Sequence, residues 1–218
     1  MVREAKKIPV ETPATAVPGG DPNVVPDGRV KPRLPTIRYW IDAHDRVIRV
    51  NDAWARFAAE NDGGPVEAAS GILGRTLWSF IEDATIGSLY RDMVLLARKG
   101  RSVGFGFRCD APGFRRIFQM RISGGKADEV EFASTLESEE AREPVSLLDC
   151  HQPRNEQYLR MCSWCQRVHA KGQWVPVEAA VVLLNVMSGP AVPSITHGIC
   201  GDCHGRIMAE ISKLRLAS

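Results

Sequence analysis

Four cysteines near the end of the chain have the residue type and spacing of metal ligands. Cys162 and Cys165 form one C-x-x-C pair, Cys200 and Cys203 form a second, and 34 residues separate the two pairs. Four thiolates grouped in this way suit Zn²⁺ in a structural role, because that ion prefers four tetrahedral sulfur or nitrogen ligands. The spacing therefore predicts a zinc site formed by these four cysteines.

Each C-x-x-C pair could instead be a redox dithiol or two free thiols. A thioredoxin-like redox centre would need a βαβ surround, and the sequence pattern provides none around either pair. Four cysteine ligands also leave no coordination position for a catalytic water, which argues against a catalytic zinc. Because the sequence contains no catalytic constellation, we predict that the chain is not an enzyme. A thiol oxidoreductase is an alternative that a bound metal ion would exclude.

Other histidine and cysteine side chains are expected to have lesser roles. His197 precedes Cys200 by three residues and could replace a cysteine as a ligand. With four cysteines available, we expect His197 to support the site from outside the ligand set. Cys109 and Cys150 are expected to be partly buried thiols and not reactive ones, because no cationic, helix-terminal surround is assigned to activate them.

The sequence around the cysteines must fold so that the two pairs meet. Residues 168–174 suit a hairpin, and the residues after Pro176 suit a helix. Residues 205–216 place apolar side chains at helical spacing directly after the second pair. These features predict a small treble-clef-like zinc module with a C-terminal helix over residues 161–218, approached by a short helical segment at residues 157–161.

Upstream of this module, the hydrophobic pattern predicts an α+β domain over residues 36–143. Alternating apolar residues between 37 and 50 favour a hairpin, a helix follows Asn51, and residues 86–97 have the apolar spacing of a longer helix. In three later segments the side chains alternate between two faces, as in β-strands, at residues 103–107, 118–122 and 130–136. We therefore predict a five-stranded antiparallel sheet whose apolar face is covered by helices.

Two segments of this domain resemble the PAS domain of bacterial sensor proteins. They are Ile41-Asp-Ala-His-Asp-Arg-Val-Ile-Arg-Val-Asn-Asp-Ala-Trp54 and Ile72-Leu-Gly-Arg-Thr-Leu-Trp78. The resemblance implies helices that cup a pocket for a small ligand or cofactor, and dimerisation through the PAS-like domain and its flanking segments. The aromatic residues that could line such a pocket, or more simply form core, are Tyr39, Trp40, Trp54, Phe57, Trp78, Phe105 and Phe107.

The sequence does not support a haem or flavin in the PAS-like domain. Haem iron usually needs an axial histidine, whereas the helix predicted over residues 85–99 has none and His44 lies in a predicted turn. The cysteine motif by which light-sensing relatives form a flavin adduct is missing. Zinc is therefore the one cofactor that we predict.

The cysteine segment is similar to a module found at the ends of many bacterial signalling proteins, beside PAS, receiver and diguanylate cyclase domains. The similarity rests on the cysteine spacing, on Trp174 and Glu178 between the pairs, and on His197-Gly198 before the second pair. It implies a signal-transduction context and no activity of the module itself. Because no kinase, cyclase or helix-turn-helix segment is recognisable, we expect the chain to act through a partner signalling protein.

The remaining sequence predicts the domain boundaries and the cellular setting. Residues 1–35 contain seven of the 14 prolines and predict a disordered tail, and residues 144–160 are expected to form a linker. The first residues lack an apolar signal segment, and no run of about 18 apolar residues occurs. We therefore expect a cytoplasmic protein with no membrane span, in a compartment where cysteines stay reduced.

Weak basic character leaves a zinc-dependent, nucleic-acid-binding transcriptional regulator as an alternative function. The whole chain has a net charge of +2, and a zinc ion bound by four thiolates would add about −2 to the cysteine region. Trp164 or Trp174 could stack on bases. The basic residues available to it are Arg154, Arg160, Arg167, Lys171, Arg206, Lys213 and Arg215.

Overall fold

The computed structural model describes residues 36–61, 69–186 and 190–216 of the 218-residue chain. The predicted disordered tail, residues 1–35, lies outside the described residues. All described residues belong to one compact unit. None of the helices in the described part of the chain combines the length and the apolar character needed to span a bilayer.

The first sheet contains five antiparallel strands in the order β2-β1-β5-β4-β3. This confirms the five-stranded antiparallel sheet that the sequence predicts. Its strands are β1 (Ile37–Ile41), β2 (Val47–Val50), β3 (Val103–Arg108), β4 (Phe114–Gly124) and β5 (Val130–Ala141).

The strand register places apolar side chains on one face of this sheet. Phe132 is opposite both Tyr39 and Ile122 in the register, and Phe105 is opposite Met120, so these residues share the inner face. Because side chains alternate along a strand, Trp40 lies on the other face, where the guanidinium of Arg49 is 4.4 Å from its ring centroid.

Helices with clear N-terminal caps follow the first hairpin. The side chain of Asn51 accepts a hydrogen bond from the Trp54 amide and begins α1 (Asp52–Glu60). The side chain of Asp83 accepts from the Ile86 amide and begins α3 (Ala84–Arg98), which buries the apolar residues that predict it. Between them lie α2 (Ala69–Ile72) and the 3-10 helix Leu77–Phe80.

A second, mixed sheet carries the cysteines. Its strand order is β8-β7-β6-β9, and β6 and β9 are parallel. The hairpin and the helix after Pro176 are confirmed, whereas the helical segment predicted at residues 157–161 is wrong, because these residues pair with β9. The elements are β6 (Arg154–Cys162), β7 (Val168–Ala170), β8 (Gln173–Val175), α4 (Val177–Leu183), β9 (Val192–Gly198) and α5 (Gly201–Leu216).

One hydrophobic cluster joins the inner face of the first sheet to the cysteine region. The Trp164 ring lies 5.8 Å from the Phe105 ring and 5.9 Å from the Tyr90 ring, measured between centroids. On the surface, Arg215 of α5 forms an ion pair of 2.7 Å with Asp92 of α3. The two parts of the described chain therefore share one core.

Candidate metal centre and adjoining cavity

The four predicted ligands converge in one cluster. The sulfur atoms of Cys162, Cys165, Cys200 and Cys203 all lie within 4.8 Å of one another, and those of Cys165 and Cys200 are 3.8 Å apart. Zn–S bonds of about 2.3 Å in a tetrahedron place the sulfurs about 3.8 Å from each other. The cluster could therefore hold a metal ion such as zinc.

The parallel pairing of β6 with β9 brings the two cysteine pairs together. Cys162 ends β6 and is opposite Gly198 in the register, and Cys200 follows two residues beyond the end of β9. Two parallel strands need a crossover connection of a dozen or more residues. Here β7, β8 and α4 belong to that crossover, which accounts for the 34 residues between the pairs.

Hydrogen bonds to the sulfurs favour the thiolate form that binds metal. The backbone N–H of Cys200 donates to Cys162 Sγ, and that of Cys203 donates to Cys200 Sγ, each at 3.4 Å. The guanidinium of Arg206 donates to Cys203 Sγ at 3.1 Å, and this bond raises the pKa of Arg206. Hydrogen bonds from the side chains of Cys165 and Cys203 lower the pKa of Cys162 well below that of an ordinary thiol, and the same bonds raise the pKa of the two donors, so Cys162 is the thiol that ionises first.

Arg206 contributes to this environment, although the sequence reasoning assigned it no role at the metal site. It follows Cys203 by three residues on α5, so the helical spacing alone could have indicated that the two side chains are neighbours. His197 is exposed on β9. Its supporting role remains a prediction.

A cavity of about 820 Å³ lies against the inner face of the first sheet. Helix α1 forms one wall, and residues 148–150 form part of another. The structure brings four of the predicted aromatic residues together in its lining, namely Tyr39, Trp54, Phe57 and Phe107. Burial raises the pKa of Tyr39 well above its ordinary value, so its hydroxyl is neutral at physiological pH.

Other predicted pocket residues lie away from this cavity. Trp78 donates its indole N–H to the Asp45 carboxylate at 2.7 Å and so anchors the turn between β1 and β2. Phe105 is 8% exposed and packs against Trp164 in the shared core. These residues stabilise the fold around the cavity without lining it.

The lining also includes thiols and charged groups. Cys109 is half-buried as expected, and its burial raises the pKa of its thiol. Cys150 is exposed, so the partial burial predicted for it is wrong. Arg116 lines the cavity while donating to Glu139 at 2.6 Å and to Asn61.

A network of charged side chains supports the cavity wall. The side chain of Asp110 is fully buried, accepts hydrogen bonds from Arg108 and forms an ion pair of 3.1 Å with Arg142. Glu178 of α4 pairs with Arg142 and with Arg115, each at 2.8 Å. Partial burial alone would raise the pKa of Glu178, but hydrogen bonds from Arg115, its own backbone and Arg142 lower it to about 2. The sequence pattern contains no signal for this network, because Arg142 and Glu178 lie far along the chain from Arg108, Asp110 and Arg115.

Comparison with known proteins adds no relative to these observations. No protein-family model matches the chain, and no curated protein matches it. The likeness to PAS domains and to the cysteine module of signalling proteins remains a prediction from the residues quoted above.

Proposed function

We propose that the chain is a cytoplasmic PAS-type sensor that binds a small apolar molecule and transmits the signal to a partner protein. The observation that carries this proposal is the aromatic cavity of about 820 Å³ on the inner face of the first sheet. Mostly apolar cavities of roughly 300–1,000 Å³ with a few polar groups are typical ligand sites. A five-stranded antiparallel sheet with helices on its apolar face agrees with the resemblance to PAS domains.

The chemistry of the walls indicates the kind of molecule. Six aromatic rings and Met120 offer apolar contact, while Asn61 and Arg116 lie among the polar side chains of the lining. The neutral hydroxyl of Tyr39 adds a group that can donate or accept one hydrogen bond. We therefore expect a compact, largely aromatic or aliphatic ligand with one polar end.

A structural zinc ion in the cysteine region is part of this proposal. Bound zinc would cross-link the ends of β6 and β9, with all four of its positions filled by sulfur. The turn between Cys162 and Cys165, the hairpin β7–β8 and helix α5 agree with a treble-clef-like module. Cysteines must stay reduced to bind the metal ion, and the cytoplasm keeps cysteines reduced.

Metal analysis tests the zinc component directly. The purified chain should contain about one zinc ion, because the site offers one set of four ligands. Cys200→Ser should lose most of this zinc, whereas Cys109→Ser, outside the cluster, should keep it. A metal-free wild-type chain with four readily titrated thiols would refute the zinc site.

A fluorescent probe tests the cavity. N-phenyl-1-naphthylamine is neutral and emits more strongly in apolar surroundings, and we expect it to bind the zinc-loaded chain at one saturable site. Ala58→Phe, which places a ring in the cavity from α1, should abolish this binding, whereas Ala59→Phe at the neighbouring exposed position should not. Absence of saturable binding to the wild-type chain, or equal binding by both variants, would refute the ligand site.

The natural ligand and partner can be sought in protein purified from its native host. Small-molecule mass spectrometry should find a compound that co-purifies with the wild-type chain and not with Ala58→Phe. Chemical cross-linking in cells should identify the partner signalling protein, and light scattering should show the dimer that the PAS resemblance implies. Loss of the compound from both Ala58→Phe and Ala59→Phe would count against binding in the cavity.

The nucleic-acid alternative has no comparable observation in its favour. Trp164 is 4% exposed, so its ring has no free face on which a base could stack. Arg206 is hydrogen-bonded to Cys203 Sγ, and Arg167 forms an ion pair with Asp202 at 3.1 Å. These contacts occupy cations that phosphate contacts would need.

A further inference from the structure

We propose that Trp164 and Gln166 couple the four-cysteine centre to the cavity, so that metal binding and ligand binding strengthen each other. The inference rests on the proposed function, because it requires a ligand in the cavity. Both residues belong to the turn that carries the first cysteine pair. Trp164 lies between Cys162 and Cys165, and Gln166 follows directly.

Two hydrogen bonds join this turn to the wall of the cavity. The backbone N–H of Arg108 donates to the carbonyl oxygen of Trp164 at 2.8 Å. The backbone N–H of Asp110 donates to Oε1 of Gln166 at 2.9 Å. Cys109 lies between these two donors, and Cys109 and Asp110 both line the cavity. The turn that holds two metal ligands therefore also holds the segment that follows β3.

A row of aromatic rings forms a second link. Trp164 is 4% exposed, and its ring centroid is 5.8 Å from that of Phe105. Phe105 is in turn 6.4 Å from Phe107, which lines the cavity. Because side chains in a close-packed interior do not shift independently, the position of Trp164 constrains the position of the cavity wall.

The charged network makes the wall resist gradual displacement. The buried carboxylate of Asp110 accepts hydrogen bonds from the guanidinium of Arg108 and from the backbone N–H of Arg116, the latter at 3.0 Å, and it forms an ion pair with Arg142. Moving the Asp110 backbone would leave part of this buried charge without a partner, which is costly. The segment after β3 is therefore expected to occupy either its bonded position or a clearly different one, as coupling between two sites requires.

The turn itself has a backbone conformation that metal binding would favour. Gln166 has a φ of 54°, in the left-handed region that residues other than glycine seldom occupy. Hydrogen bonds from the Gln166 amide to the Cys162 carbonyl at 2.9 Å, and from the Cys162 amide to the Arg167 carbonyl at 2.8 Å, close the turn. An ion held by Cys162 and Cys165 would favour this closed turn and so keep the Gln166 side chain in reach of Asp110.

The experiment uses the full-length chain with zinc as the metal and N-phenyl-1-naphthylamine as the probe. Zinc affinity is measured by competition with a chromogenic chelator, with and without saturating probe, and probe affinity is measured at high and low buffered zinc. The coupling factor is the ratio by which one ligand changes the affinity of the other, and linkage requires the same factor in both directions.

Gln166→Asn removes the proposed link with little change to the turn. Asparagine tolerates the left-handed region, and its side chain is one methylene too short to keep the bond to the Asp110 amide. Gln173→Asn makes the same chemical change at an exposed position on β8. We expect a coupling factor of about three to ten in the wild-type chain and in Gln173→Asn, the range of one net hydrogen bond. The factor should be clearly smaller in Gln166→Asn, in which only the links through Trp164 remain.

The other outcomes separate the two proposals. Probe binding with a coupling factor of one in the wild-type chain would overturn the coupling and leave the ligand site standing. Equal factors above one in all three chains would overturn the route through Gln166. Absence of probe binding to the zinc-loaded wild-type chain would overturn the ligand site, and the coupling with it.

Discussion

Replacement of Trp164 by alanine should destabilise the whole described unit, because this residue lies where the cysteine region meets the core of the first sheet. Its ring packs against those of Phe105 and Tyr90, and it is 4% exposed. The free-energy cost of truncating a buried tryptophan to alanine is about 3–5 kcal/mol. The indole N–H is the one buried side-chain polar group in the described part of the chain that lacks a hydrogen-bond partner. Its removal therefore offsets about 1 kcal/mol of that free-energy cost.

The net loss of about 2–4 kcal/mol converts into a measurable change in melting temperature. For a unit of this size, each kcal/mol lowers Tm by about 2–4 °C, so we expect a decrease of about 4–16 °C. Thermal melts of the zinc-loaded chain should be followed by far-UV and near-UV circular dichroism. Both signals should change in one transition, because Trp164 and the four-cysteine region belong to the same hydrophobic cluster as the inner face of the first sheet.

Trp40→Ala is the matched control. Trp40 lies on the outer face of the first sheet and contacts Arg49, a contact worth about 0.5–1 kcal/mol, so its loss should lower Tm less. Two separate transitions, of which Trp164→Ala shifted one alone, would refute the shared core. A decrease no larger than that of Trp40→Ala would refute the estimated contribution of burial.

Three further substitutions test the charged network, a close backbone approach and the metal site. Glu178→Gln should flatten the pH dependence of the free energy of unfolding, measured in urea melts, between about pH 4.3 and pH 2. The pKa of Glu178 is lowered to about 2 in the folded chain. The carboxylate therefore stabilises the folded chain above its unfolded-state pKa, and this stabilisation is lost as the pH falls to its folded-state pKa. Gly124→Ala should destabilise by more than about 2 kcal/mol in thermal melts, because its Cβ would lie 2.3 Å from the Ala97 carbonyl oxygen. Arg206→Gln should weaken zinc binding about 10- to 100-fold in chelator competition, because it removes a donor to Cys203 Sγ.

Matched variants define the outcomes that would contradict these expectations. Gly104→Ala adds a Cβ no closer than 3.5 Å to its neighbours and should lower Tm much less than Gly124→Ala. Lys213→Gln changes an exposed cation on the same helix as Arg206 and should leave zinc affinity unchanged. Equal effects within either pair, or parallel pH curves for wild type and Glu178→Gln, would count against the contacts described.

The parts of the fold that local sequence determines were predictable. Helices α1 and α3 follow capping residues and apolar side chains at helical spacing, and both signals lie within one short segment. The four cysteines were also predictable, because the spacing within each pair reflects the turn that directs two sulfurs toward one ion. In each case the signal lies within a short segment, that of one helix or of one C-x-x-C pair.

The features that depend on distant partners could not be predicted in the same way. The sequence predicts a helical segment at residues 157–161, within β6, because the pairing partner β9 lies across the crossover and leaves no local signal. The aromatic residue type indicates burial but not location. The sequence therefore predicts both Phe105 and Phe107 as pocket residues, whereas of these two only Phe107 lines the cavity. The bond between Gln166 and Asp110 spans 56 residues and has no counterpart in any local pattern.

The interval between the cysteine pairs shows how topology limits what spacing can indicate. An interval of 34 residues is longer than a compact zinc ribbon needs, and the spacing rule alone assigns no purpose to the additional residues. The parallel ladder of β6 and β9 gives the reason, since two neighbouring parallel strands require a crossover between them. The same ladder sets Cys162 beside Gly198 and so fixes the first cysteine pair relative to the second. Metal affinity should therefore depend on the integrity of this sheet as well as on the four sulfur ligands.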